Sequence, residues 1–271
     1  MKAPRSYLFV PGDRPDRFAN ALASAADAVV VDLEDAVPAA AKPAAREAVA
    51  GLLADERSRD RIVVRINDEA TPWFDADLAL VAEHDAGVVM LPKAERVATI
   101  ARIRSNAPSA VVLPLVETAR GVLAADALAA AEGVQRLVFG TVDYALDMDL
   151  QGELAASLGL DYPAARLALA SRAAGLLPPV AGVTVAIADE AQLRADVERA
   201  RAHGFAAKLC IHPKQVAAVH ALLAPSADEL AWAERVLAAA DAAFGAAVQL
   251  DGRMVDKPVI ERARRIVQRA H

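Results

Sequence analysis

Eight short runs of β-branched and aliphatic residues recur along the chain, each followed by a stretch of helical pattern. The runs are Ser6–Val10, Ala28–Leu33, Ile62–Ile66, Gly87–Leu91, Ala110–Val116, Arg136–Phe139, Ala181–Ile187 and Ala207–Ile211. They are nearly continuous in apolar residues rather than alternating, as in strands buried on both faces of a parallel sheet. Between them lie Ala-rich amphipathic stretches: Asp16–Ala26, Pro43–Leu53, Ala94–Ser105, Asp161–Gly175 and Asp189–His203. In the last of these, Asp189 caps with Gln192 three residues on, and Gly204 ends the helix. Eight strand–helix units in 271 residues predict an α/β fold, one closed (β/α)8 TIM barrel. A doubly wound sheet is the alternative. It usually carries a glycine-rich phosphate turn after its first strand, and Pro11-Gly12-Asp13 is not that pattern.

Two segments exceed a minimal barrel. Tyr144–Leu160 reads as a long acidic loop. The chain divides into a barrel, 1–224, and an extension, 225–271, that can cover a barrel mouth, its own or a neighbour's. In the extension, Ser226 and Glu229 form a capping box for a helix ending near Gly245. Asp251-Gly252 marks a hairpin turn between two short runs, and a last helix covers about Pro258–Arg269.

A net charge of −6, without aromatic–basic interleaving, argues against a nucleic-acid partner. The single cysteine, Cys210, excludes an internal disulfide and suits a reducing compartment. The N-terminus lacks a signal-peptide core. The longest uncharged run, Ala173–Ala188, is broken by Pro178 and Pro179. A cytoplasmic chain with no membrane partner is expected.

Polar residues collect at the C-terminal ends of the strands, where barrel enzymes place their chemistry. Strand two ends in Asp32-Leu-Glu34-Asp35, strand three in Arg65-Ile-Asn67, strand four in Lys93, strand five in Glu117, strand six in Asp143 and strand eight in His212. Two acids on adjacent strands repel, so they share a proton, hold a cation or cap the following helices. Oxygen ligands from only two carboxylates suit Mg2+. Arg65 has two compatible readings, a bidentate clamp on a substrate carboxylate and an ion pair with the strand-two acids. Glu34 and Asp35 read as substrate-contacting groups or as solvated loop charges. Lys93 reads as an ion-pair partner of Glu95 or a strand-two acid, with a Schiff-base role as its other reading, His212 as a hydrogen-bonded rim residue and Cys210 as a core residue.

The segments Arg5–Gly12, Val31–Val37, Val64–Asn67, Leu91–Lys93, Pro114–Thr118, Phe139-Gly140 with Asp143, and Ile211–Pro213 resemble, in order, the citrate lyase beta-subunit-like family. That family belongs to the aldolase/citrate lyase superfamily, with malyl-CoA and citramalyl-CoA lyases. The resemblance implies a trimeric barrel with Mg2+ on Glu117 and Asp143, and Arg65 on the substrate carboxylate. It implies a CoA-contacting edge at Phe9, Pro11 and Arg14. It also implies a general acid/base, Asp256, that reaches a neighbouring subunit's site; capping the final helix is its other reading. The implied reaction is a reversible, Mg2+-dependent cleavage of a 3-hydroxy-3-carboxy acyl thioester, on CoA or an acyl carrier, to a 2-oxo acid and a shorter acyl thioester. Three alternatives stand beside it: a citryl-carrier lyase subunit of a citrate lyase complex, a metal-dependent aldolase on free 2-oxo acids, and a non-catalytic barrel that binds a CoA ester or scaffolds a complex. Two departures lie near the mouth: strand seven has no acid before Asp189, and Asp147-Met148-Asp149 replaces the family's Asp-Leu-Gly.

Overall fold

The computed structural model describes residues 3–55, 59–242 and 248–270. Its strands are β1 (Ser6–Pro11), β2 (Ala28–Asp32), β3 (Ile62–Arg65), β4 (Val88–Leu91), β5 (Val111–Val116), β6 (Val138–Phe139), β7 (Val180–Ala181), β8 (Ala207–Cys210), β9 (Val248–Leu250) and β10 (Arg253–Val255). The helices are α1 (Phe18–Ala23), α2 (Lys42–Leu53), α3 (Phe74–Glu83), α4 (Val97–Asn106), α5 (Ala119–Leu123), α6 (Ala125–Ala130), α7 (Thr141–Asp147), α8 (Gly152–Ala173), α9 (Glu190–Ala202), α10 (Pro213–Leu223), α11 (Ala227–Ala242) and α12 (Lys257–Ala270).

Strands β1 to β8 are parallel and close in sequence order, with β1 paired to β8, so the expected TIM barrel is the observed one. Its interior is filled by Tyr7, Ala28, Val30, Val63, Met90, Leu113, Leu115, Val138, Val180, Ala207 and Leu209. The alternate residues Val29, Val31, Ile62 and Val64 are equally buried, which is why the strands read as continuous apolar runs. At the N-terminal end, buried Arg136 donates to Pro4 O (2.8 Å) and to Pro178 O (2.8 and 2.5 Å), tying three segments together.

Two expectations need correction. Strand seven was expected over Ala181–Ile187, but β7 stops at Ala181. There Gly182 packs so tightly that a Cβ would stand 2.9 Å from Phe139 O. Beyond it Val185 and Ile187 are exposed, with no sheet partner to bury them. The Tyr144–Leu160 segment is not a loop, because α7 and α8 cover most of it. Only Met148–Gln151 separates them, with left-handed backbone at Asp149 (φ 50°), and α8 opens on a left-handed Gly152 (φ 74°). Asp161 with Pro163 imitates a helix start, yet Pro163 lies inside α8.

The chain forms two compact units, Met1–His220 and Ala221–His271. In the second, Ala233, Val236, Val255, Ala263 and Ile266 make a small core with Trp232, Leu237 and Leu250 packed against it. The capping box is reciprocal: Glu229 N donates to Ser226 Oγ (3.1 Å), and Ser226 N to Glu229 Oε2 (2.9 Å). Asp251 and Gly252 both have positive φ (50° and 74°), as a two-residue hairpin turn between β9 and β10 requires. The predicted end of α11 near Gly245 falls outside the described residues.

Candidate active site

Strand parity decides which side chains reach the barrel axis. Val30, Val63 and Leu115 point inward, and side chains on a strand alternate with period two. The same faces therefore present Asp32, Arg65 and Glu117 one step further on, at the C-terminal rim. The β2–β3 register sets Asp32 directly beside Arg65.

Arg65 grips Asp32 with two bonds, Nε to Oδ1 (2.7 Å) and Nη2 to Oδ2 (2.6 Å). Its Nη1 stands 2.9 Å from Glu34 Oε2 as an ion pair, and its guanidinium lies 4.9 Å from the Phe9 ring centroid. Asp32 also accepts from the backbone N–H groups of Glu34 (2.9 Å) and Ala36 (3.1 Å), so its lone pairs are used. The ion-pair reading of Arg65 holds in this structure. A guanidinium has five N–H donors, so donors remain on the edge not turned to Asp32.

Glu117 is 2% exposed, and its Oε1 accepts from Lys93 N (2.8 Å). Lys93 adopts a left-handed backbone (φ 45°), uncommon for a non-glycine residue. Its Nζ lies 2.5 Å from Glu34 Oε1, so one residue ties both acids together. Burial, and next the charges of Glu34 and Asp143, push the Glu117 carboxyl up to about 8, against the Lys93 N–H and Arg65. Gly140 makes this packing feasible: a Cβ there would stand 2.6 Å from Glu117 Cβ.

Asp143 does not end strand six. The strand stops at Phe139, Gly140 breaks it, and Asp143 is half-buried in the first turn of α7, where the helix dipole favours a carboxylate. Asp143 and Glu117 nevertheless line one cavity of about 860 Å³ at the mouth, with Phe9, Pro11, Asp35 and Arg65. Glu34 and Arg14 are not among its lining residues. Glu34 is buried and paired with Arg65 and Lys93, whereas Arg14 is exposed and paired with Asp16 (2.8 Å). Asp256 lies in the second unit, where its Oδ1 accepts from Val259 N (3.3 Å) and caps α12. His212 lines the cavity, and its Nδ1 accepts from Lys214 N (3.1 Å). Cys210 is buried, and burial pushes its thiol up to about 12, which removes it as a nucleophile.

The donor set fits a hard divalent cation. Two carboxylates face one cavity, and the raised Glu117 pKa is that of a buried acid short of positive charge. Among the described residues no cluster of three or more His, Cys, Asp or Glu side chains is placed to hold a metal. Any further ligands would be water or substrate oxygens, the habit of Mg2+. The sequence reading passed over Lys42, whose ammonium is buried behind the rim. The available signal was a cation in the first turn of α2, where a helix dipole disfavours one.

The barrel and its mouth belong, by comparison with known families, to the carbon–carbon bond lyases built on TIM barrels. The profile described as C-C bond lyase of the TIM-barrel fold matches residues 171–271. That of the HpcH/HpaI aldolase/citrate lyase family matches residues 5–213, and the chain belongs to this family. A citrate lyase subunit beta-like protein of Mycobacterium tuberculosis is 40% identical over 269 residues, 97% of this chain and 94% of the relative. A (3S)-malyl-CoA thioesterase of Cereibacter sphaeroides is 37% identical over 281 residues, 98% of this chain and 94% of the relative. The crystal structure of protein CitE from M. tuberculosis, in complex with magnesium, acetoacetate and coenzyme A, superposes with a TM-score of 0.85. It is 37% identical, with 99% of this chain and 98% of that chain covered.

Proposed function

We propose that the chain is an Mg2+-dependent lyase that cleaves, or in reverse forms, a 3-hydroxy-3-carboxy acyl thioester of the malyl or citramalyl type. The products of cleavage are a 2-oxo acid and an acyl thioester. The observation that carries this reading is the convergence of Glu117, Asp143 and Arg65 on one cavity at the barrel mouth. Complexes of the M. tuberculosis relative with magnesium, an oxo acid and coenzyme A support it.

Glu117 and Asp143 would hold the cation. Bound there, Mg2+ supplies Lewis acidity at the substrate's hydroxyl and neighbouring carboxylate. The donors left on the Nη1–Nη2 edge of Arg65, beside its pair with Glu34, orient that carboxylate, and Asp32 keeps the guanidinium from turning. Asp35 stands at the opening and contacts the substrate there, while Glu34 acts from behind. Phe9, Pro11 and Arg14 form the edge for the thioester arm, Arg14 beyond the cavity itself. Loss of the hydroxyl proton to the Asp256 carboxylate lets the carbon–carbon bond break, leaving a thioester enolate. The carboxyl of Asp256, contributed by a neighbouring copy in a homotrimer, returns a proton to the enolate carbon. In this reading 225–271 is the part that packs on the neighbour. No helix among the described residues is long and apolar enough to cross a membrane, and buried, unpaired Cys210 suits the cytoplasm.

The test is an assay of malyl-, citramalyl- and citryl-thioesters, on CoA and on carrier protein, with and without Mg2+. Mg2+-dependent release of a 2-oxo acid supports the reading, and no turnover on any member sinks it. Thioester hydrolysis is the second reading, favoured by the malyl-CoA thioesterase relative.

A further inference from the structure

Lys42 is 5% exposed, opens α2 and does not line the mouth cavity. Its three ammonium donors are all committed: Nζ donates to Leu33 O (2.8 Å), Glu34 O (2.9 Å) and Asn67 Oδ1 (2.6 Å). It also stands 4.7 Å from the Trp73 ring centroid. Two of these acceptors are consecutive carbonyls of the turn that follows β2. That turn carries Glu34, whose carboxylate meets Arg65 on one side and Lys93 on the other.

Asn67 braces the same turn from β3. Its Nδ2 donates to Leu33 O (2.9 Å) and to Asp77 Oδ2 (2.6 Å), and its own N–H also donates to Asp77 Oδ2 (2.8 Å). Arg46 closes the chain on Asp77 Oδ1 (3.1 Å). Asn67 and Asp77 are at most 1% exposed, so an ionic lattice is buried between the barrel wall and α2 and α3. Burying charge costs several kcal/mol per ion unless it is compensated, and apolar packing does the structural job more cheaply. A barrel needs no such lattice to close. What this one does, and an apolar one would not, is fix two successive carbonyls in space.

We propose that Lys42 is a positioning residue for the reaction. It clamps the Leu33–Glu34 turn so that the Glu34 carboxylate stands between Arg65 and Lys93 and sets the angle at which Arg65 meets the substrate carboxylate. The inference rests on the proposed role of Arg65. It assigns Lys42 no contact with substrate and no part in proton transfer.

The experiment measures kcat and KM for the thioester that wild type cleaves, together with the calorimetric Kd for pyruvate in Mg2+. The proteins are wild type, Lys42→Met, Glu34→Gln, the double variant and Arg136→Met. Arg136 is a buried cation at the opposite end of the barrel and serves as the stability control. Lys42→Met is expected to lose at least about tenfold in kcat/KM and in pyruvate affinity, mostly through KM. The double variant should be no worse than Glu34→Gln alone, because both changes release the same carboxylate. Arg136→Met should lower the melting temperature while leaving KM and the pyruvate Kd unchanged. Where Lys42→Met does not fold, Lys42→Gln, which keeps a donor, carries the comparison. A folded Lys42 variant within twofold of wild type overturns the inference, and so do losses that add in the double variant. Failure of the underlying reading looks different, because wild type itself would then neither cleave thioesters nor bind pyruvate.

Discussion

Replacing Glu117 with glutamine isolates the electrostatic state of the mouth. The wild-type carboxyl is 2% exposed, and its pKa is raised from 4.5 to about 8. A folded value above the unfolded one means that the folded protein holds the proton more tightly. The associated stability is complete below pH 4.5 and is lost as pH rises through about 8. At about 1.4 kcal/mol per unit, the loss is roughly 3 kcal/mol by pH 7 and roughly 5 kcal/mol above pH 8, as orders of magnitude. Glutamine keeps the shape and an oxygen for the Lys93 N–H but does not ionise. In EDTA, Glu117→Gln should therefore melt progressively higher than wild type as pH rises from 5 to 8.5, with a final gap of about 10 °C. Adding Mg2+ at pH 7 should stabilise wild type alone and release about one proton per site, because the carboxyl must ionise to bind. Thermal melts across pH and calorimetry in two buffers of different ionisation enthalpy make both measurements. A melting gap that stays flat across pH would refute the account of Glu117 as a desolvated acid awaiting a cation.

Two further outcomes follow from the same geometry. Gly140→Ala puts a methyl group 2.6 Å from Glu117 Cβ, so urea titration should show a loss of about 1–3 kcal/mol, and Mg2+ titration should show weaker binding. Asp256 separates capping from chemistry: Asp256→Ala should cost about 1 kcal/mol and Asp256→Asn almost nothing, because asparagine caps as well as aspartate. If Asp256 is the proton donor, the asparagine variant stays stable yet loses turnover; an active asparagine variant leaves it as a helix cap only.

The barrel was legible because both faces of the strands are buried, which writes them as nearly continuous apolar runs, Lys208 in β8 being an exception. Asp32, Arg65 and Glu117 were legible because strand ends in a barrel are rim positions and parity aims them at the axis. The Ser226/Glu229 box and the Asp251-Gly252 turn were legible because their chemistry is local. What escaped depended on contacts distant in sequence. The short β7 reflects the packing of Gly182 against Phe139, and the helical position of Asp143 reflects the break at Gly140, which must lie against Glu117. Asp161 and Pro163 imitate a helix start inside α8. Lys42 was hidden because its three acceptors come from the ends of two strands, whereas the ion pair of Lys93 with a strand-two acid was legible and only its left-handed backbone was not.

The measurement that meets the central claim most directly is product identification. Purified protein would be incubated with a malyl or citramalyl thioester, with Mg2+ and then with EDTA, and every product identified by mass. A 2-oxo acid and a shorter acyl thioester are expected in equal amounts, with the thioester bond intact and nothing formed in EDTA. Free thiol and an intact hydroxy diacid would contradict it, since they mean hydrolysis of the thioester rather than cleavage of the carbon–carbon bond.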